Sequence, residues 1–415
     1  MKPPFVLASL IAAAVPAFAE QPVPTGEFTK TQLTDQFWAE GAAFGDFNKD
    51  GKMDVVYGPY WWAGPEFKDR HTIYPDTKKS KIKKEDGTEA EIAGFKGALS
   101  NENEYSDNFL TYTYDFNGDG WTDVLVLGFP GKESTWFENP KGADQPWTKH
   151  IAIDVTDNES PTFLDITGDG KPEIVCSANG YWGYGEPNWS KPEEKWTWHN
   201  ISPKGPWQRF THGLGVGDVN GDGKMDLLEA GGWWEQPKSL DNDPVWTKHD
   251  FQFGPGGAQM FAYDVNGDGK NDVITSLQAH GYGIAWFEQT NEGGVMGFNQ
   301  HLIVGDSPEN NWQGVKFSQP HALDLVDMNG DGLKDLITGK RFWAHGPKGD
   351  KEPEAAPVLY WFELKREGGT AQWHAHLIDD ASGVGTQVMA GDINGDGKPD
   401  VVMGNKRGGF VFIRK

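Results

Sequence analysis

The residues best suited to proton transfer in this sequence are histidines, of which there are 11. Six recur at one place in a repeated segment, as in "WTKH" and "WTWH": His71, His150, His199, His249, His301 and His376, with His374 beside the last. A residue that recurs with the repeat serves the repeat. Four break the pattern: His212, His280, His321 and His345. Imidazole takes or gives a proton near neutral pH. Lys340 and Arg341 could stabilise a developing enolate or carboxylate beside them. Together these groups suit β-elimination. His212 or His321 would serve as base and the other as acid, with Lys340 and Arg341 holding the anion and Glu229 or Glu235 orienting an imidazole. Alternatively, three or four of these histidines could hold a Zn-like divalent metal. No Ser-His-Asp signature, phosphate-cradling glycine loop or HExxH is present.

A second chemistry is spread along the whole chain. An acidic, glycine-punctuated nonapeptide occurs seven times, at intervals of 46 to 69 residues. Oxygen side chains stand at positions one, three, five and nine, and glycine at six, the composition of a calcium-binding turn. The expected ligands begin with Asp46, Asn48, Asp50 and Asp54, then Asp115, Asn117, Asp119 and Asp123. The third copy offers Asp165, Thr167, Asp169 and Glu173, and the fourth Asp218, Asn220, Asp222 and Asp226. Next come Asp264, Asn266, Asp268 and Asp272, then Asp327, Asn329, Asp331 and Asp335, and last Asp392, Asn394, Asp396 and Asp400. Thr167 replaces the usual Asn and Lys49 the usual Gly, so those two loops are expected to bind more weakly. An EF-hand would need Glu at position twelve, which only Glu229 supplies. The calcium is expected to be structural.

The elements that position these groups are strands. Each loop runs into a β pattern such as "DVVYG", "DVLVLG" or "DVITS". A third strand ("STWFENP", "GGWWEQP", "LYWFEL") and a fourth ("WTKHIAI", "FNQHLIV") follow. Repeats of this period, with four strands each, predict an all-β, seven-bladed β-propeller over residues 20–415 as a single domain. The last copy lacks a fourth strand, and "EFTKTQLT" (27–34) is expected to supply it, closing the ring without an open edge.

Blade connectivity predicts where the exceptions gather. The acidic loops join strands one and two, on one face. His212 and His321 each stand six residues before a loop, at the entry to an innermost strand. His280 and His345 follow second strands. All four are therefore expected around the mouth opposite the loops, with Lys340, Arg341, Lys406, Gln259 and Gln387. The insertion 75–107 and "AHGPKGDKEPEAAP" belong to the same face and could wall a pocket. Trp62, Trp234 and Glu235 near that mouth are candidates to bind a sugar, apolar on one side and hydroxylated on the other. Substrate-binding candidates are thus Trp62, Trp234, Glu235, Gln259, Gln387 and Lys406.

The loops, and "FGDFNKDGKMDVVYGP" in the first blade, resemble FG-GAP or VCBS-type repeats, the calcium-loop propeller repeats of integrin heads and many secreted bacterial proteins. The stretches "THGLGVGDVNGDG", "QAHGYGIAWFEQ", "FSQPHALDLVDMNGDG" and "GKRFWAHGP" look like a group of exported bacterial propellers. They are more distantly similar to the propeller of aldos-2-ulose dehydratase, which removes water from keto-sugars. That resemblance implies a lyase or dehydratase acting on a keto-sugar or uronate-type carbohydrate. The other reading is a non-catalytic glycan- or protein-binding propeller of the integrin kind.

Composition sets the outer limits. The formal net charge is −24, to which the loops contribute most of the acid excess. Such acidity argues against nucleic acid as a partner. Residues 1–19 read as a secretory signal ending at Ala17-Phe18-Ala19, so a periplasmic or extracellular protein with no transmembrane segment is expected. The lone Cys176, in the apolar run "EIVCSA", is expected to be an inert buried thiol.

Overall fold

The computed structural model describes residues 24–84, 86–310, 313–368 and 370–415. The expected export signal, 1–19, lies outside the described residues. Among those described, strands dominate. One 3-10 turn, Pro308–Asn310, interrupts them, and no helix is long and apolar enough to cross a membrane.

The strands form successive antiparallel meanders. Ala43–Gly45, Asp54–Tyr57, Tyr60–Trp62 and Arg70–Thr72 make one sheet; Leu323–Val326, Asp335–Gly339, Leu359–Glu367 and Thr370–Asp379 make another. Two longer sheets each join two meanders. In one, the 17-residue strand Thr148–Leu164 ends one meander and begins the next. In the other, Leu214–Gly217 pairs parallel with Gln259–Tyr263. The N-terminal strand Phe28–Thr34 pairs antiparallel with Gly408–Arg414, Phe28 opposite Arg414, so the two ends of the chain share one sheet. Their pairing removes an open strand edge.

Apolar clusters sit between neighbouring meanders. Leu228 and Trp233 of one pack with Met260, Val273 and Ala285 of the next. Second strands are buried throughout, as in Asp123–Leu127 and Glu173–Ala178. This explains their unbroken apolar runs: a strand covered on both faces has no polar alternation to keep. Cys176 is fully buried there, and burial raises its thiol well above the ordinary value.

First strands lie side by side and are stitched by amides. Gln387 accepts from Thr111 N (2.9 Å) and donates to Thr111 O (2.8 Å). Gln259 donates to Thr386 O (3.0 Å) and accepts from Leu323 N (2.8 Å).

The recurring histidines belong to the meanders. Each stacks on a third-strand ring, from Trp61–His71 at 4.1 Å to Tyr184–His199 at 4.9 Å between centroids. Most also meet a third-strand carboxylate, as His249 Nε2 meets Glu235 at 2.7 Å. The residues 75–107 carry a hairpin, Lys79–Lys83 with Glu89–Ala93, docked through a Phe37–Phe95 bridge.

Candidate functional site

The acidic turns and the exceptional histidines lie at opposite ends of the first strands. His212 precedes Leu214–Gly217 and Asp218 follows it. In every turn the glycine at position six takes φ between +82° and +88°, a conformation glycine adopts without steric cost. The first-position aspartate folds the turn by accepting from backbone N–H groups, as Asp218 does from Gly221 (2.7 Å) and Gly223 (2.9 Å). The ninth position has a further role. Asp226 is buried, and its oxygens accept from Val219 N (2.9 Å) at the turn and Gln236 N (2.9 Å) after the third strand. Burial and the neighbouring Asp222 and Asp218 push its carboxyl up to about 6. Asp54, Asp123, Asp272, Asp335 and Asp400 are bonded in the same way. The ninth acid therefore ties the loop to the sheet as well as adding an oxygen. The third loop departs from the others. The longer Glu173 brings a carboxylate oxygen within 4.8 Å of those of Asp165 and Asp169, and its Oε1 has no hydrogen-bond partner among the described residues. Carboxylate-rich turns of this kind fit a hard cation.

At the other end the four exceptional histidines converge. His212 Nε2 lies 3.1 Å from His280 Nε2 and 3.3 Å from His321 Nε2. His280 and His345 rings stand 4.6 Å apart between centroids. A carboxylate joins them: Glu159 Oε2 is 3.2 Å from His321 Nε2 and 3.7 Å from His212 Nε2. Arg341 lies behind, its Nη1 3.4 Å from Glu159 and its Nη2 3.1 Å from Glu40. Asp350 accepts from His345 Nδ1 at 2.8 Å and stands 3.3 Å from His280 Nδ1.

Glu159 arrives through a backbone irregularity. Pairing of its strand shifts register between Asp157 and Thr162, and Asn158 takes φ +82°. The freed segment bonds sideways instead, Asn158 N to Arg209 O and Glu159 N to Thr211 O, each 3.0 Å. A bulge of this kind re-aims a side chain, here toward the histidines.

Electrostatics sets the protonation states. Burial lowers His212, and burial with Arg341 lowers His321 well below the ordinary value, so both rings are neutral. Burial alone would raise Glu159, but His321, His212 and Arg341 outweigh it and hold the carboxyl well below its usual range. Asp350 is held down likewise by His280 and His345 against its own burial.

Tautomers follow from the outer partners. His212 has the Phe210 carbonyl on its far side, which favours its proton on Nδ1, and His280 Nδ1 faces the Asp350 carboxylate at 3.3 Å. The two Nε2 atoms face one another at 3.1 Å with a carboxylate oxygen close by. A cluster of three imidazole nitrogens and a carboxylate at these distances fits a cation at its centre. A four-coordinate metal with ligands at about 2.1 Å separates them by about 3.4 Å, close to these distances.

Above the cluster is a pocket of about 300 Å³, lined by Tyr105, Phe109, Phe129, Phe210, Glu159, His212, His280 and His345. Phe210 is exposed at the rim and meets Phe129 edge-on. The Tyr105 hydroxyl has no hydrogen-bond partner among the described residues, and burial pushes it up to about 12. His321 and Arg341 are buried beneath.

Other expected site residues lie elsewhere, because packing uses them. Trp62 and Trp234 are core residues, and Trp234 Nε1 donates to Glu229 at 3.0 Å. Glu235 orients an imidazole, but that of the recurring His249. Gln259 and Gln387 bind neighbouring strands, as described. Lys340 is buried on Ser318 Oγ at 2.7 Å, and burial lowers it to about 8. Lys406, lowered by burial to about 7, bonds Asn103 and, at 2.6 Å, the Ala344 carbonyl. It thereby pins the two segments that carry Tyr105 and His345. None of these seven lines the pocket.

Glu40, Glu159, Asp350, Tyr105 and the phenylalanine wall were not singled out by sequence. A signal for three of them existed. The residues six before each loop are Glu40, Phe109, Glu159, His212, Ala258, His321 and Thr386. The register that selects His212 and His321 also selects Glu40, Phe109 and Glu159.

All-β meanders curled so that their first strands lie side by side define a propeller-type repeat protein. The chain carries FG-GAP-like repeats, matched at residues 115–176 and 327–403, and its curled all-β meanders fit a propeller-type fold. No curated protein matches it in sequence. Among solved structures, it is similar to a lectin of Agrocybe aegerita that recognises non-reducing terminal N-acetylglucosamine. That match has 16% identity and a TM-score of 0.42, covering 81% of this chain and 86% of that one. It is also similar to rhamnogalacturonan lyase YesW, at 14% identity and a TM-score of 0.42, covering 95% and 74%. A third is BBS1N in complex with ARL6DN, at 9% identity and a TM-score of 0.48, covering 93% and 96%.

Proposed function

We propose that the protein is an exported, seven-bladed propeller stabilised by calcium in its acidic loops. Its function in this reading is that of a metal-dependent carbohydrate lyase or dehydratase, working in the pocket at the opposite face. One observation carries this: three imidazole nitrogens and the Glu159 carboxylate converge beneath an aromatic-walled pocket. His212, His280, His321 and Glu159 would hold a divalent metal, which when bound polarises a carbonyl or hydroxyl oxygen.

The chain's own residues supply the rest. Glu40 and Glu159 flank Arg341, so this buried trio carries one excess negative charge that a cation balances. The aromatic wall takes the apolar face of one sugar ring. His345 is the most exposed of the four imidazoles, its Nδ1 held by Asp350 and its Nε2 free for the pocket. It is a better base than the sequence-selected His321, whose side chain is wholly buried. In β-elimination the C–H bond beside the carbonyl breaks and its proton passes to His345 Nε2. The electron pair forms the new C=C bond as the β C–O bond breaks, and the leaving oxygen takes a proton from the Tyr105 hydroxyl.

The test is turnover of keto-sugars, keto-glycosides and uronate polysaccharides by metal-loaded protein, read as new unsaturation by ultraviolet absorbance and mass. Product formation lost in His345→Ala and Glu159→Gln supports the reading. Binding without product in every class would make the pocket a glycan-binding site of a non-catalytic propeller.

A further inference from the structure

The histidine pocket adjoins a larger one. Tyr105 and Phe129 line both, and the second holds about 890 Å³ between the 75–107 excursion and the neighbouring meander. We infer that this second compartment binds the adjoining sugar units of a neutral oligosaccharide, whose reacting unit sits over the histidines. This deepens the proposed function and rests on it for the position of the reacting unit.

The lining carries the argument. Tyr105 and Phe129 give the compartment aromatic surfaces for sugar faces, while Tyr74 and Phe137, stacked on one another at 4.6 Å, and the buried Phe95 complete its aromatic lining. Its charges are three acids, Asp107, Glu133 and Asp154, and two lysines, Lys132 and Lys149. Lys149 is paired with Glu133 at 2.7 Å, and Asp154 with Lys195 at 2.5 Å. Asp107 has no side-chain partner among the described residues, and it adjoins Tyr105 by only one intervening residue. A free carboxylate in the lining accepts from sugar hydroxyls and repels a uronate. The compartment's volume is about three times that of the histidine pocket, which suits more than one further ring.

The experiment is calorimetric titration of the calcium-loaded full chain. Monomers and tetramers of the gluco-, xylo- and manno-series serve as neutral probes, and galacturonate monomer and tetramer as acidic ones. Parallel titrations use Asp107→Asn and Asp107→Lys. The expected result is at least one neutral series whose tetramer binds tenfold or more tighter than its monomer. Asp107→Asn keeps part of that gain, and Asp107→Lys removes it while monomer binding persists. Tighter binding of galacturonate tetramer than of every neutral tetramer overturns the inference. So does a lack of any chain-length gain, or of any binding. Cobalt(II) titration followed by visible absorbance reads the histidine site separately. Cobalt bound without a chain-length gain sinks only the second compartment, whereas a chain-length gain without cobalt binding sinks only the metal-dependent reading.

Discussion

Arg341→Met removes the guanidinium that bridges two buried carboxylates. Arg341 is 1% exposed and Glu40 0% exposed, and Glu159 is nearly as enclosed at 8%. Breaking a buried pair from one side costs about 3–5 kcal/mol, because the abandoned charge stays desolvated. Glu159 keeps His321 at 3.2 Å, so the larger share falls on Glu40, whose Oε1 has no hydrogen-bond partner among the described residues. For a chain of 415 residues the unfolding entropy is about 0.9 kcal/mol/K, so Tm should fall by about 3–6 °C. The assay is thermal unfolding in EDTA with calcium in excess, followed by circular dichroism. The sign with pH follows from the carboxylates. Losing Arg341 removes one of the charges that hold the Glu159 carboxyl down, so the deficit is largest at neutral pH and shrinks as pH falls and Glu159 protonates. The double variant Glu40→Leu/Arg341→Met removes both charges and should recover part of the loss. A deficit below about 1 kcal/mol at neutral pH, or one that does not shrink in acid, would refute the buried-triad account.

Glu229 is buried and accepts from Trp207 Nε1 (2.7 Å) and Trp234 Nε1 (3.0 Å), so Glu229→Ala should cost about 2–4 kcal/mol in urea unfolding, and Glu229→Gln less. Burial lifts Asp324, which accepts from Ala390 N at 2.8 Å, to about 6, above its unfolded value of about 3.9. The folded chain therefore keeps a proton that the unfolded chain releases, and stability falls as pH rises across that window. Asp324→Asn lacks this slope, so its stability relative to wild type should climb by up to about 3 kcal/mol from about pH 4 to pH 7, and a flat difference would count against it. If the acidic turns hold calcium, EGTA should lower Tm, since each site at a hundredfold excess over its Kd contributes about 2.7 kcal/mol; an unchanged melting curve counts against that occupancy. Glu159→Gln should weaken cobalt binding at the histidines by about 100-fold or more, whereas His249→Ala, remote from the cluster, should leave it unchanged.

Much of the architecture was legible because a repeat states its local geometry several times. Gly at position six, the acids around it and the β run after it describe one turn-and-strand unit, and these depend only on neighbours in sequence. The same repetition sorted the histidines. Those recurring with a third-strand aromatic, such as His150 on Trp136, stack within their own meander, while His212, His280, His321 and His345 do not. The pairing of Phe28–Thr34 with the last strand was legible too, since one meander lacked a strand and the N-terminus had one to give.

Tertiary structure alone decided which exceptions became a site. Glu40, Glu159, His212, His321 and Arg341 meet although up to 301 residues separate them, because curling brings the entries of the first strands together. Glu159 reaches the cluster through a register shift that no alternation pattern announces. Lys340, Lys406, Gln259 and Gln387 have the right residue types at the right end, yet hydrogen bonds to loops and neighbouring strands consume them. Whether a polar side chain is free for a ligand depends on what it packs against. That contact is made across the fold, where the sequence carries no record of distance.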